Sequence, residues 1–330
     1  MRIFATANYQ FIAKRRFAYV FSATLIGVGV LAMIINSARG AGWVYYGVDF
    51  TGGALLQVRF DEQVSTERVR VALRPTRASS VTRLGEGPEF IIRAPASGEG
   101  EIDQVASSIV AALTSGLEGK SVEVVRSDLV GPRVGRELER RAGMAVLLSF
   151  LLTLIYLAYR FETRFGLAAI IATAHDILIT LGFLAAFRIE VNVTTIASIL
   201  TVVGYSLNDT IVVFDRIREN LRRTRHPASA EAELVNRSIN ETLPRTVLTS
   251  GTTVAVLVPL LLFGGVVLHD FALVLIVGIV FGTYSSIFIA SPALLEIRRW
   301  ARSRSRSARK SAARARRPTP NAATRRRPAA

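Results

Sequence analysis

Asn208 and Asp209 lie inside an apolar run that extends from Val193 to Phe214, long enough to cross a bilayer. A carboxylate at membrane depth costs about 2.5–3.5 kcal/mol on insertion scales, so it needs a partner, a water-filled cavity or a role. An intramembrane Asp therefore points to a proton or ion site. In the same run Thr194, Ser198, Thr201 and Tyr205 fall at helical spacing on one face, and Asn208 and Asp209 flank that face. Arg245, Thr249 and Thr252 are spaced i, i+4, i+7 at the start of the next apolar run. Arg245 is the natural counter-charge for Asp209, because an opposite charge favours the ionised carboxylate while burial disfavours it. His175-Asp176 lies in the middle of another run. It is able to relay protons, since imidazole titrates near neutrality, and is read here as a supporting pair. The bland readings are interhelical packing for the hydroxyls and an interfacial, snorkelling position for Arg245. Gly278 and Gly282 fit a small-xxx-small contact, a common signal.

Half of the 330 residues are apolar and a fifth are charged, which excludes an ordinary soluble domain. Cysteine is absent, so disulfides, thiolate metal sites and cysteine nucleophiles are excluded. The three histidines, His175, His226 and His269, have no zinc-ligand spacing. The net charge of +16 is concentrated: residues 298–330 hold 13 Lys and Arg and no acid. That segment is expected to be a disordered tail that fixes topology at an anionic lipid surface. Ribosome or nucleic acid are its other candidate partners.

Six spans are predicted, at 17–35, 143–157, 166–187, 193–214, 246–264 and 271–290, and the second helix is able to start before its span, from about residue 138. Span 1 is read as a retained signal anchor, because its core is long and no A-x-A site follows. Lys14 to Arg16, Arg160, Arg164, the arginines of 216–237 and the tail share one side, so both termini are assigned to the cytoplasm. The expected division is 1–36 for the N-terminus and span 1, 37–137 for an external domain, 138–297 for spans 2 to 6, and 298–330 for the tail.

The external segment holds 12 basic and 13 acidic residues. Strands are expected at 54–60, 80–84, 89–94 and 121–127, with a turn at 85–88, and helices at 66–73 (capped by Ser65) and 101–117. Alternation makes the last strand half-buried. The order β-α-β-β-α-β is that of a ferredoxin-like α+β unit. Nothing in it forms a catalytic constellation.

Five blocks together resemble the SecD/SecF family of protein-export translocase subunits, in the RND superfamily. They are Val48-Asp-Phe-Thr-Gly-Gly53, Val130-Gly-Pro-Arg-Val-Gly135, Ala174-His-Asp176, the long block from Gly204 to Asn220, and Pro244-Arg-Thr-Val-Leu-Thr-Ser-Gly-Thr-Thr253, with Phe263-Gly-Gly265 behind the last. They occur in the family's order across about residues 10 to 298; the Arg-rich tail is outside the resemblance. The resemblance implies a polytopic helical membrane protein, half of an RND-type bundle, with a small periplasmic domain between helices 1 and 2. It implies a multi-pass protein of the cell inner membrane, not an enzyme, using proton motive force with no cofactor beyond the coupling proton. The implied partners are SecD, the SecYEG channel, YajC and emerging secretory polypeptides. The implied proton path matches Asp209 and Arg245, with a further carboxylate from SecD, and Asn208, Asp176 and His175 in support. Asp49, Phe50, Thr51, Gly52 and Gly53 open the external domain, where the glycines permit a tight turn or close backbone approach.

Three other readings remain. A proton-coupled small-molecule exporter fits the superfamily, although one six-span half leaves no obvious drug pocket. A scaffold without transport predicts that Asp209→Asn is silent. An intramembrane protease would use Asp176 and Asp209, but neither sits in a Gly-x-Gly-Asp block.

Overall fold

The computed structural model describes residues 8–40, 42–76, 78, 80–85, 87–95, 101–117, 120–223 and 230–315. His226, Arg225, Glu86 of the expected turn and residues 316–330 of the tail lie outside them.

Among the described residues six helices are long and apolar enough to span a membrane. They are α1 (Arg15–Ala38), α5 (Pro132–Arg160), α6 (Thr163–Phe187), α7 (Val193–Arg223), α8 (Glu231–Phe263) and α9 (Gly265–Ser285). A π turn (Ser286–Ala290) joins α9 to α10 (Ser291–Ala315). The remaining elements lie between α1 and α7. They are β1 (Tyr45–Tyr46), α2 (Val48–Thr51), β2 (Gly53–Phe60), α3 (Thr66–Ala72), β3 (Ser80–Leu84), β4 (Glu89–Ala94), α4 (Ile102–Gly116), β5 (Val122–Val130) and β6 (Glu190–Val191).

In the bundle, α9 packs against α6, α7 and α8, and α1 packs on α6. Two close crossings set these contacts. A Cβ on Gly182 of α6 would stand 2.9 Å from Gly29 Cα of α1, and one on Gly282 of α9 would stand 2.9 Å from Ser206 Cβ of α7. Small residues let the backbones approach where lipid supplies no hydrophobic drive between helices. By contrast α5 turns its large apolar side chains outward; Tyr159 is 92% exposed.

The external domain is a four-stranded antiparallel sheet in the order β3-β4-β2-β5, with α3 and α4 over one face. Its core includes Leu56, Val58, Phe60, Phe90, Ile92, Ile109 and Leu113. This is the ferredoxin-like order expected from sequence. Ser65 caps α3 by accepting from Arg68 N.

Four expectations are corrected. Helix α5 starts at Pro132, not near 138, because Gly131 is extended and Pro fits the first helical position. Strand β5 is largely exposed rather than half-buried: the register slips opposite Gln57/Val58, and Val124, Val125 and Leu129 face outward. Such a bulge breaks the two-residue alternation on which the expectation rested. The helix of span 6 starts at Gly265 rather than 271 and continues past 290 through the π turn. Residues 298–315, expected to be disordered, are helical. Ala and Arg are good helix formers, and Arg298 and Arg302 of this segment pair with the buried Glu231 at the start of α8.

Candidate functional site

Asp209 is 5% exposed. Its Oδ2 accepts from Ser250 Oγ of α8 and Thr283 Oγ1 of α9, each at 3.2 Å, and those two hydroxyls lie 2.7 Å apart. The carboxylate is thus enclosed by three helices and held by hydroxyls. Among the described residues no ion pair joins it to Arg245, which is exposed and acts on it only through space. The reason is rotational: five residues along α8 from Arg245 to Ser250 turn the helix by about 140° past a full turn, so Ser250 faces the carboxylate and Arg245 faces outward. Asn208 is also exposed.

The polar stripe of α7 straddles two environments. Ser198 is buried and donates to Thr194 O at 3.1 Å and to Phe271 O of α9 at 3.3 Å. Thr201 and Tyr205 are exposed, and the Tyr205 hydroxyl lies 3.2 Å from Thr253 Oγ1 of α8. On α8, Thr249 and Thr252 are exposed, with their hydroxyls turned back to the Arg245 and Leu248 carbonyls. Thr201, Tyr205, Asn208, Arg245, Thr249 and Thr252 therefore form an outward polar face on two membrane helices.

A second carboxylate lies deeper. Asp176 is 1% exposed. Its Oδ2 accepts from Ser206 of α7 and from Ser285 Oγ at 2.7 Å, and its Oδ1 lies 2.8 Å from His175 Nδ1. His175 Nε2 lies 3.0 Å from Ser22 Oγ of α1. Ser206 precedes Asp209 by one turn, and Thr283 precedes Ser285 by two residues, so the two carboxylates hang on the same pair of helices, α7 and α9. Sequence reasoning missed Ser22, Ser206, Ser250, Thr283 and Tyr284; single hydroxyls in apolar helices carry no mark of what they face. The π turn follows Ser285 directly, and such turns often sit beside functional side chains.

The external domain meets the bundle at the outer end of α7. Strand β1 pairs in parallel with β6, Tyr45 opposite Glu190 and Tyr46 opposite Val191. Asp49 Oδ2 accepts from Val193 N at 3.0 Å, and Asn192 Oδ1 accepts from Thr195 N at 2.8 Å. Both satisfy donors at the first turn of α7. Phe50 is buried and Thr51 Oγ1 donates to Gly47 O at 3.1 Å. Gly52 and Gly53 have φ of 75° and 135°, which only glycine adopts without strain. Arg93 of β4 pairs with Glu190. Burial holds the Glu190 carboxyl above the usual range; the Arg93 charge pulls the other way, and Asp270 and Asp49 add to the rise.

Fold and site together define a polytopic helical membrane protein with Asp176 and Asp209 buried in its bundle and an external domain fastened to the helix that carries Asp209. A family profile described as "Protein export membrane protein SecD/SecF, C-terminal" matches residues 109–300, and one described as "SecD/SecF GG Motif" matches residues 43–64. The chain belongs to the SecD/SecF family of protein-export membrane proteins. It is 42% identical over 310 residues to the protein translocase subunit SecF of Gemmatimonas aurantiaca, covering 92% of this chain and 91% of that one. With the same subunit of Escherichia coli O157:H7 it shares 38% identity, covering 88% of each. Crystalline SecDF from Thermus thermophilus, described as a translocon-associated membrane protein, superposes with a TM-score of 0.76 at 38% identity, over 91% of this chain. This chain spans 40% of that longer SecDF chain.

Proposed function

We propose that this chain is a proton-driven subunit that works with a SecD half in the cell inner membrane, with both termini cytoplasmic, to drive late steps of polypeptide export. Asp209 takes up and releases the coupling proton, and Arg245 tunes it. The single observation that carries this reading is a carboxylate buried among hydroxyls, with no paired cation among the described residues, beside an outward polar face that contains Arg245. An arginine, an asparagine and four hydroxyl-bearing side chains facing hydrocarbon are unfavourable, so a partner covers that face. A matching six-span half supplying its own carboxylate fits. SecYEG, YajC and the emerging polypeptide are the further partners of this reading. The basic helix α10 and the residues after it meet anionic lipid or the ribosome.

The test is export of a slow secretory client in vesicles containing this chain and its SecD partner, with and without an imposed proton gradient. Asp209→Asn is expected to assemble normally and lose only the gradient-dependent step. A full gradient response in that variant would move the proton path elsewhere and favour a scaffold role. Ligand-stimulated proton flux by this chain without SecD would favour a small-molecule exporter.

A further inference from the structure

Among the described residues the His175–Asp176 pair makes no hydrogen bond to Asp209, yet it is buried, ionisable and linked to three other helices. Its protonation follows from the hydrogen bonds. Tyr284 OH donates to Ala18 O at 2.9 Å, and a carbonyl can only accept. The phenol has one proton, so the 3.2 Å contact between Tyr284 OH and Ser22 Oγ uses the serine proton. Ser22 then has no proton left for its 3.0 Å contact with His175 Nε2, and Nε2–H must donate to Ser22. On the other side of the ring, Nδ1 and Asp176 Oδ1 stand 2.8 Å apart. Without a proton between them two lone pairs would oppose each other. The pair therefore holds two protons, one on Nε2 and one shared between Nδ1 and Oδ1. Its net charge is zero whether it is written as imidazolium and carboxylate or as imidazole and carboxylic acid.

We propose that His175 and Asp176 form a second protonatable site, kept loaded by the contact between α1 and α9. The groups facing the pair are Ser22 of α1, Ser206 of α7, and Tyr284 and Ser285 of α9. The nearest further carboxylate on α7 is Asp209, one turn beyond Ser206. Among the described residues no Lys or Arg is paired with Asp176. Release of the shared proton requires the ring to become the Nδ1–H tautomer, with Nε2 accepting. Ser22 must then turn its proton from Tyr284 to Nε2, which leaves the single Tyr284 proton to serve either Ala18 O or Ser22 Oγ, so one of the two hydrogen bonds between α1 and α9 is lost. The α1–α9 contact opens, and the proton passes to water admitted between the helices. Asp176 stays behind as a carboxylate held by Nδ1–H, Ser206 and Ser285. Proton release and separation of α1 from α9 are thus one event. This site goes beyond the role given to Asp209 and does not depend on it.

The experiment is 15N NMR of the imidazole in the full chain with its SecD partner in bilayers. His226→Gln and His269→Gln leave His175 as the single histidine of this chain, and only this chain is labelled. At about pH 8, where an unperturbed imidazole carries one ring proton, Nε2 is expected to be protonated and Nδ1 strongly hydrogen-bonded. Tyr284→Phe frees the Ser22 proton, so the signal is expected to move to the Nδ1–H form with Nε2 accepting. A bare Nε2 in the parent overturns the proposal, as does a ring unchanged by Tyr284→Phe in a normally assembled complex. Should that variant fail to assemble, Ser22→Ala is read instead: Nε2 stays protonated but loses its hydrogen-bond shift, and an unchanged Nε2 signal overturns the proposal. Asp209→Asn leaves all these signals in place, so failure of the export reading and failure of this one are distinguishable.

Discussion

A carboxylate held by hydroxyls differs from one held by an arginine in what its removal does. Taking one partner from a buried ion pair leaves a bare charge and costs about 3–5 kcal/mol. Among the described residues Asp209 has no such partner in contact, and an asparagine amide oxygen still accepts from Ser250 and Thr283. Asp209→Asn is therefore expected to leave the thermal stability of the complex within about 1 kcal/mol, while the gradient-dependent part of export is lost. Thr283→Val removes a donor instead and leaves the buried carboxyl group underpaired, which is expected to destabilise by about 1–3 kcal/mol. Melting of the purified complex, read beside export in vesicles, separates the two. Asp209 itself was legible in the sequence because a lone acid in an apolar run is costly wherever it points. Arg245 was legible as a charge but not as a contact. Pairing depends on the rotation of α8 about its axis, and spacing along one helix does not fix rotation against another.

The elements that hold the two carboxylates together are α7 and α9, and their approach depends on Gly278 and Gly282. A methyl group at 282 would meet Ser206 Cβ at 2.9 Å, and Ser206 is a donor to Asp176. Gly282→Ala is expected to push α9 off α7 and lower stability by about 1–3 kcal/mol, read as a lower melting temperature of the complex. A silent substitution would mean that the crossing is loose. At the start of α8 Glu231 is buried against Arg298 and Arg302. Glu231→Ala is expected to free the start of α10 from α8 and expose residues near 298–304 to trypsin, at a cost of about 3–5 kcal/mol. The small-xxx-small spacing in span 6 was visible in sequence; its partner, Ser206, was not. The helical tail was missed because composition describes an isolated segment, whereas Glu231, 67 residues away from Arg298, anchors it.

In the whole molecule the external domain is fastened to one helix rather than tethered by a loop. Asp49 caps the first turn of α7, β1 pairs with β6 just before it, and Arg93 reaches Glu190. Asp209 sits on that same helix, so a shift of α7 on protonation carries the domain with it. The ferredoxin-like order was readable from strand and helix periods, but this docking was not. It joins residues more than 90 apart through a two-residue strand pair and one ion pair, none of which has a periodic signature.

The docking itself should respond to external pH, and the sign follows from Glu190. Docking buries this carboxyl beside Asp49 and Asp270 and raises its proton affinity despite Arg93. Undocked and solvated, it returns to the ordinary glutamate range. The docked state therefore binds the proton more tightly. Its extra stability is fully present below the ordinary value and is lost as pH rises through the raised one. Acidification of the external side is expected to tighten docking, which is the direction an inward proton gradient imposes. Distance measurements between a label on α3 and one on the α8–α9 link, taken across external pH, check this. Wild type should shift toward the short distance as pH falls, and Glu190→Gln should be flat, since the amide keeps its bond to Arg93 without titrating. Loosening on acidification would show that the Arg93 attraction outweighs the burial of Glu190, and that the external domain is released, rather than seized, when the proton arrives.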